Sequence, residues 1–156
     1  MSCLKIVPKS YLNADALEKL IHGYIFPKAM LIGGLSVDPV HAAEQMHFVK
    51  EIWFQTGGCQ LRHFVLSFSE YECKYIHTPW SLEAGAYGVC DYYSDEYQIV
   101  FGVHHSNNRW HIHFVMNNVS FTTGKRFRGC KINDLDLRCH ILTCPFPINF
   151  VGIYYI

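Results

Sequence analysis

The sequence predicts an α+β fold, with an antiparallel sheet and helices packed mainly on one face of it. Segments with apolar residues at helical spacing alternate with short runs that are rich in β-branched and aromatic residues. Two of the later runs are joined by a short polar segment, as in a β-hairpin. The predicted order of elements is β-α-α-β-α-β-β-α, and this order favours a sheet with helices beside it.

Turn and cap residues divide the first half of the chain into elements. Residues 2–8 are predicted to form a strand. Asn13 can cap a helix over residues 13–27, which has leucine and isoleucine at helical spacing and ends at a proline. The glycine pair at 33–34 indicates a loop. An Asp-Pro pair then opens a second helix over 38–54, which has one apolar stripe and is stopped by two glycines.

The second half contains most of the predicted sheet. Residues 60–68 are rich in β-branched and aromatic side chains and are predicted to form a strand. A Thr-Pro pair opens a helix over 78–93. The runs 97–104 and 111–119 are predicted to pair as a hairpin across a polar turn. A last helix is predicted over 133–142.

Three histidines fall in this predicted hairpin. Side chains of a strand alternate between its two faces, so His111, His113 and Asn117 share one face and the apolar residues between them share the other. If the hairpin is in register, His104 stands opposite His111 with Cβ atoms about 5 Å apart. Three imidazoles can then converge on one ion, and such a set suits Zn²⁺ or, with oxygen ligands added, Mn²⁺. Solvated histidines on an exposed strand are the alternative at this point.

The composition restricts the classes of function. A chain of 156 residues, half of them apolar and 17% charged, is long enough for one domain with a core. A net charge of zero argues against a generally basic nucleic-acid-binding protein, although residues 124–138 hold five basic and two acidic side chains. The seven cysteines include no Cys-x-x-Cys pair, which argues against zinc knuckles. Without a membrane-length apolar run or a signal segment, we expect a cytoplasmic protein with reduced thiols.

Three blocks, in order, resemble the relaxases of plasmid mobilisation, a MobA/VirD-type family of HUH endonucleases. The strongest is residues 104–127, with a histidine, His-x-His-x-x-x-Asn, an aromatic residue, Thr-Gly and basic residues. Residues 60–68 are similar to the family's strand with Gln, His and Ser-Phe, and residues 20–28 are similar to its tyrosine motif. The resemblance runs from about residue 15 to 142 and implies an HUH endonuclease-like fold.

The resemblance also implies a DNA-nicking reaction. Tyr24, which the residues alone would make a core tyrosine at a helix end, would attack single-stranded DNA at a plasmid transfer origin. The resulting 5′-phosphotyrosyl intermediate would serve conjugative mobilisation. His104, His111 and His113 would hold a divalent metal ion, Mg²⁺ or Mn²⁺, on the scissile phosphate. Accessory mobilisation proteins would be further partners, and no membrane is expected. The residues implied to bind or support the DNA are Ser67, Asn117, Lys125, Arg126 and Arg128.

The chain departs from the family pattern at Ser106, at Arg109, where relaxases often have a histidine, and in its last residues. Ser106 stands where relaxases usually have an acid that orients an imidazole, and losing such support costs about 10–100-fold in affinity or activity. His63 could belong to the periphery of the site, but a buried structural histidine is the favoured interpretation. The apolar residues 145–156 do not resemble the family, so the prediction is a nuclease domain over 1–144 and an atypical tail that indicates truncation.

These departures keep other functions open. The main alternative is a truncated, catalytically impaired relaxase remnant that binds single-stranded DNA. A replication initiator of the same chemistry is disfavoured, because such proteins usually place the tyrosine after the histidines. A His₃ metalloenzyme without a nucleic-acid substrate would leave the tyrosine block and the basic segment unexplained.

Overall fold

A computed structural model describes residues 2–128 and 150–155 of the chain. One sheet lies at the centre of this part. Its strands are β1 (Ser2–Ile6), β2 (Leu31–Leu35), β3 (Leu61–Ser67), β4 (Ile99–Ser106), β5 (Arg109–Asn117) and β6 (Phe150–Tyr155). The spatial order is β2-β4-β5-β3-β1-β6. The first five strands of this order pair antiparallel, whereas β6 pairs parallel with β1 at the edge.

Four helices accompany the sheet. Helix α1 joins a π-helical segment, Glu18–Ile25, to an α-helical turn, Phe26–Lys28. Helix α2 is Ala42–Ile52, and the short α3 is Glu70–Cys73. Helix α4 is Glu83–Tyr93. The turns Pro39–His41 and Pro79–Leu82 are 3₁₀-helical and lead into α2 and α4. In residues 2–128 and 150–155, no helix has the length and apolar character that a membrane crossing requires.

The α+β prediction is confirmed, but the helices pack on both faces of the sheet and not mainly on one. Helix α4 covers the face that carries Phe101 and Phe114. Helices α1 and α2 cover part of the opposite face, where Val100 and Val115 join their core. The reason is that the strands are apolar on both faces away from the histidines, so each face needs a helical cover. The histidine face is therefore not bare.

Other sequence predictions need correction. The glycine pair at 33–34 lies inside strand β2 and is not a loop. A Cβ on Gly33 would lie 2.5 Å from the Phe101 ring, so glycine here permits close packing. Helix α1 continues past Pro27 to Lys28, because Pro27 occupies the first turn of its α-helical part. The helix predicted over 133–142 lies outside the described residues.

The histidine hairpin is confirmed in its register. Strands β4 and β5 pair with His104 opposite His111, as the spacing predicts. The connecting residues Asn107 and Asn108 have φ values of 50° and 57°, the left-handed conformation that a two-residue hairpin turn of type I′ requires. Each strand thus runs two residues further toward the turn than predicted and stops two residues short of the predicted bound at its other end. The hairpin places His104 on β4 beside His111 and His113 on the adjacent strand β5.

Candidate active site

The hairpin brings the three histidines together at one end of the sheet. Each of His104, His111 and His113 offers a ring nitrogen, and these nitrogens all lie within 4.8 Å of one another. The ring centroids are 4.6 to 5.3 Å apart. His104 and His113 are buried, at 5% and 7% exposure, and His111 is partly exposed. One side of the cluster is therefore enclosed by protein and the other can admit a ligand.

Hydrogen bonds orient two of the three rings. The Nε2 atom of His104 lies 2.8 Å from the carbonyl oxygen of Ile25, so it must donate there and its Nδ1 atom is left as a ligand. The Nδ1 atom of His113 lies 2.9 Å from Nε2 of His63. The other nitrogen of His113, Nε2, is buried and has no hydrogen-bond partner among the described residues. A buried, unpartnered imidazole nitrogen beside two further imidazoles fits a metal-binding site.

Burial keeps these imidazoles neutral at neutral pH. The pKa of His113 is lowered to about 3, mainly by burial and also by the neighbouring His63, His104 and His111. Burial is also the main cause that lowers the pKa of His104 and of His111 below the usual range. Neutral imidazoles keep the lone pairs with which a metal ion is bound, so the triad needs no deprotonation first.

Tyr24 lies directly beside this triad. Its ring centroid is 6.0 Å from that of His104 and 5.9 Å from that of His113, and the side chain is 41% exposed. The amine of Lys28, one helical turn later, lies 4.3 Å from the centre of the Tyr24 ring. A candidate nucleophile, three metal-ligand candidates and a cation are thus adjacent, and the phenol can be reached from solvent.

A glycine permits the close approach of α1 to the sheet. Gly102 lies in β4, opposite His113 in the neighbouring strand. A Cβ added there would lie 2.5 Å from Cγ2 of Ile25 and 3.3 Å from Cβ of Ala29. Any larger residue would therefore push α1 outward. The same helix carries Tyr24 and the carbonyl that orients His104, so this contact sets the geometry of both.

Ser67 lies next to the triad, on the neighbouring strand. It stands opposite His111 in the β3–β5 pairing and is partly exposed. Ser67 also lines a surface cavity of about 670 Å³ together with Lys5, Lys74 and Arg109. Glu70 lines the same cavity and pairs with Arg109 at 2.8 Å, so the positive charge that could meet a phosphate there comes mainly from Lys5 and Lys74.

Asn117 does not reach the histidines. It is fully buried four residues beyond His113, about 13 Å along the strand. Its amide donates to the carbonyl oxygen of Met46 at 3.1 Å and to Oε1 of Gln98 at 3.0 Å. Asn117 therefore fastens helix α2 to the sheet, and its position makes it a support for the fold at a distance from the triad.

The basic segment after β5 also lies at the far end of that strand. The Arg126 guanidinium donates to the carbonyl oxygens of Gln55, Gly57 and Cys59, so its donors are directed at the protein's own loop. Lys125 and Arg128 are exposed. Of the three basic residues singled out by sequence, only these two present their side chains to solvent.

Two supports of the site were missed by sequence reasoning. His63 is bonded to His113, and the carbonyl of Ile25 is bonded to His104. Ser106, at the position where an acid is usual, is exposed at the tip of the hairpin. The strand period could have signalled His63, because it shares a face with Ser67 in the predicted strand. A backbone carbonyl from a helix has no comparable signal in the sequence.

Comparison with known proteins identifies the family of the chain. The family model described as "Relaxase: MobA/VirD2-like, nuclease domain" matches residues 27–139. The chain belongs to this relaxase family. No curated protein and no solved structure matches the chain. Membership supports a DNA-nicking function in general and implies nuclease or strand-transfer chemistry on single-stranded DNA at an origin. The match begins three residues after Tyr24, so it does not cover this residue, whose position beside the histidines is the observation that bears on its role.

Proposed function

We propose that this relaxase domain cleaves one DNA strand at a plasmid transfer origin by transesterification, with Tyr24 as the nucleophile. The observation that carries the proposal is the contact between the exposed Tyr24 ring and two of the three histidines, His104 and His113, at about 6 Å between ring centroids. A purely structural role at a helix end does not account for an exposed tyrosine ring in contact with two neutral imidazoles. The proposed nuclease domain covers residues 1–144, with accessory mobilisation proteins as further partners.

The reaction exchanges one phosphate ester for another. The Oη atom of Tyr24 forms a bond to the scissile phosphorus, and the bond from phosphorus to the 3′ oxygen breaks. The phenol proton leaves Tyr24, and the departing 3′ oxygen ends as a hydroxyl. The 5′ phosphate stays on Tyr24 as a phosphotyrosine. No water is consumed, so the same residues can rejoin the strands by the reverse step.

The cations near Tyr24 suit this chemistry. Phenols ordinarily ionise near pH 10, so the attacking oxygen gains from positive charge beside it. Lys28 supplies one such charge at 4.3 Å from the ring. His104, His111 and His113 would hold a divalent ion, Mg²⁺ or Mn²⁺. When bound, that ion supplies positive charge that polarises the scissile phosphate.

The DNA would run from Tyr24 across the triad and past Ser67. The cavity beside Ser67 carries Lys5, Lys74 and Arg109, which suits a phosphate backbone. Lys125 and Arg128, at the far end of β5, would meet a more distant part of the strand. Arg126 would act by holding the loop on which this basic segment rests, since its guanidinium is bonded to that loop.

A catalytically impaired remnant that only binds single-stranded DNA is the alternative function. Its basis is the serine at position 106 in place of an acid. The hydrogen bond that His104 donates to the Ile25 carbonyl and the hydrogen bond between His113 and His63 argue against impairment, because other groups then orient the two rings.

Covalent capture tests the proposal. The probe is a pool of single-stranded oligonucleotides with a randomised core and labelled 3′ ends, incubated with the protein and Mn²⁺. We expect a labelled protein–DNA adduct that survives denaturation, is lost with EDTA and is absent in Tyr24→Phe. Tyr75→Phe is the matched control, since Tyr75 is 44% exposed, much like Tyr24, and does not line the cavity beside Ser67. DNA binding without any adduct would favour the remnant, and an adduct of normal yield in Tyr24→Phe would refute the assignment.

A further inference from the structure

A chain of three buried side chains ends at the unpartnered nitrogen of the triad. Oη of Tyr11 lies 2.9 Å from Nδ1 of His63, and Nε2 of His63 lies 2.9 Å from Nδ1 of His113. Exposures of Tyr11, His63 and His113 are 9%, 6% and 7%. The far nitrogen of His113, Nε2, is the one that has no partner among the described residues.

The hydrogens of these three side chains can be arranged in two ways in which every side chain is neutral. In the first, Tyr11 donates to His63, and Nε2 of His63 donates to Nδ1 of His113. The only hydrogen of His113 is then on Nε2, and its lone pair is not available to a metal ion. In the second, Nδ1 of His113 donates to His63, and Nδ1 of His63 donates to Oη of Tyr11. Only this second arrangement leaves Nε2 of His113 as a ligand.

We propose that Tyr11 and His63 are positioning residues of the metal centre, which hold His113 with its hydrogen on Nδ1 and its Nε2 lone pair directed into the triad. The inference rests on the proposed metal-dependent function. It assigns to a tyrosine–histidine pair the task that an acid performs in many metal sites, where a second group fixes the tautomer of a ligating histidine.

The two residues are held in place independently of the triad. His63 lies in β3 opposite Val115 of β5, and its carbonyl accepts from the backbone amide of Val7 at 3.0 Å. The carbonyl of Tyr11 accepts from the amide of Gln60 at 2.7 Å, and its ring packs in the core beneath α1. Because the backbone fixes both partners, the position of the His63 ring beside His113 does not depend on a bound ion.

The metal affinity of four variants tests the proposal. Calorimetric titration with Mn²⁺ is made on the metal-free protein with His63→Leu, His63→Gln and the control His77→Leu, in which an exposed histidine is replaced. Leucine fills the site without an acceptor, so we expect an affinity loss of about 10–100-fold. Glutamine can present an acceptor oxygen to Nδ1 of His113, so we expect its affinity to stay within about 10-fold of the native value. Tyr11→Phe should lose less than His63→Leu.

The tautomer of His113 gives a second readout that needs neither metal nor activity. Long-range ¹⁵N–¹H correlation on the metal-free protein distinguishes a hydrogen on Nδ1 from one on Nε2. We expect Nδ1 in the native protein and in His63→Gln, and a shift toward Nε2 in Tyr11→Phe. A hydrogen on Nε2 in the native protein would overturn the proposal, even if His63→Leu does not fold.

The two proposals fail in different ways. If the native protein binds no Mn²⁺ at all, the metal centre of the proposed function is refuted. The ¹⁵N–¹H measurement then still shows which nitrogen of His113 carries the hydrogen. Native binding with an unchanged affinity in a folded His63→Leu refutes the positioning role alone. An equal loss in His63→Leu and His63→Gln also refutes it, because the acceptor would then make no difference.

Discussion

Replacing the buried Lys50 by methionine should stabilise the protein at neutral pH. Lys50 lies on α2 with 1% of its surface exposed, and its amine has no hydrogen-bond partner in the described part of the chain. The pKa of Lys50 is lowered from 10.5 to about 7. Burial is the main cause and the charge of Arg126 adds to it, while Glu18 and Cys59 act in the opposite direction. Methionine has a similar length and no charge to bury.

The magnitude follows from this pKa. Between pH 7 and 10.5 the unfolded chain binds a proton at Lys50 that the folded protein releases, so stability rises with pH over that interval. At pH 7 the unfavourable contribution of Lys50 is about 4 kcal/mol, and at pH 9.5 it is about 1.5 kcal/mol. The advantage of Lys50→Met should therefore shrink by about 3 kcal/mol between these two pH values.

Urea denaturation at both pH values measures the free energy of unfolding of each variant. The control is Lys74→Met, which removes an exposed amine and should change that free energy by less than about 0.5 kcal/mol at either pH. Packing differences between lysine and methionine do not depend on pH and cancel in the comparison. A stability difference that stays constant from pH 7 to 9.5 would refute the reasoning.

Three other predictions concern the site and its supports. Gly102→Ala should lower the yield of covalent adduct by at least about 10-fold, because α1 and Tyr24 must move outward, whereas Gly57→Ala, which meets no atom within 4 Å, should not. Asn117→Leu should lower the free energy of unfolding by about 2–4 kcal/mol without changing Mn²⁺ affinity, since its lost hydrogen bonds join α2 to the sheet; weaker metal binding in the folded variant would contradict this. The double variant with Lys125→Ala and Arg128→Ala should reduce the salt dependence of binding to a fluorescent oligo(dT) by about 1.4 in log–log slope, and an unchanged slope would remove these residues from the DNA path.

The hairpin was predictable because its signals are local. Alternation along β5, the apolar residues of β4 and the Asn107-Asn108 turn together determine the register that pairs His104 with His111. Helix α3 also had a readable signal, since Ser69 and Glu72 form a capping box, yet the segment was not recognised as a helix. Local chemistry was thus sufficient where one segment carried the whole pattern.

The remaining features depend on contacts between distant segments. In the sequence, Gly33 indicates a loop and Gly102 indicates no particular structure. In the fold, the absence of a side chain lets Phe101 pack against Gly33 and Ile25 against Gly102. The strand period places His63 on the same face as Ser67, but its contact with His113 depends on the pairing of β3 with β5. The placement of Tyr24 over the triad likewise depends on how α1 crosses the sheet.

The most direct test of the central claim is the site at which DNA becomes attached. The protein is incubated with Mn²⁺ and the randomised single-stranded pool, digested with nuclease and protease, and its peptides are analysed by mass spectrometry. We predict a nucleotide phosphate on the peptide that contains Tyr24, in amounts that fall to background when His113→Ala removes one triad ligand. Attachment to another tyrosine, such as the exposed Tyr71 or Tyr75, would contradict the account.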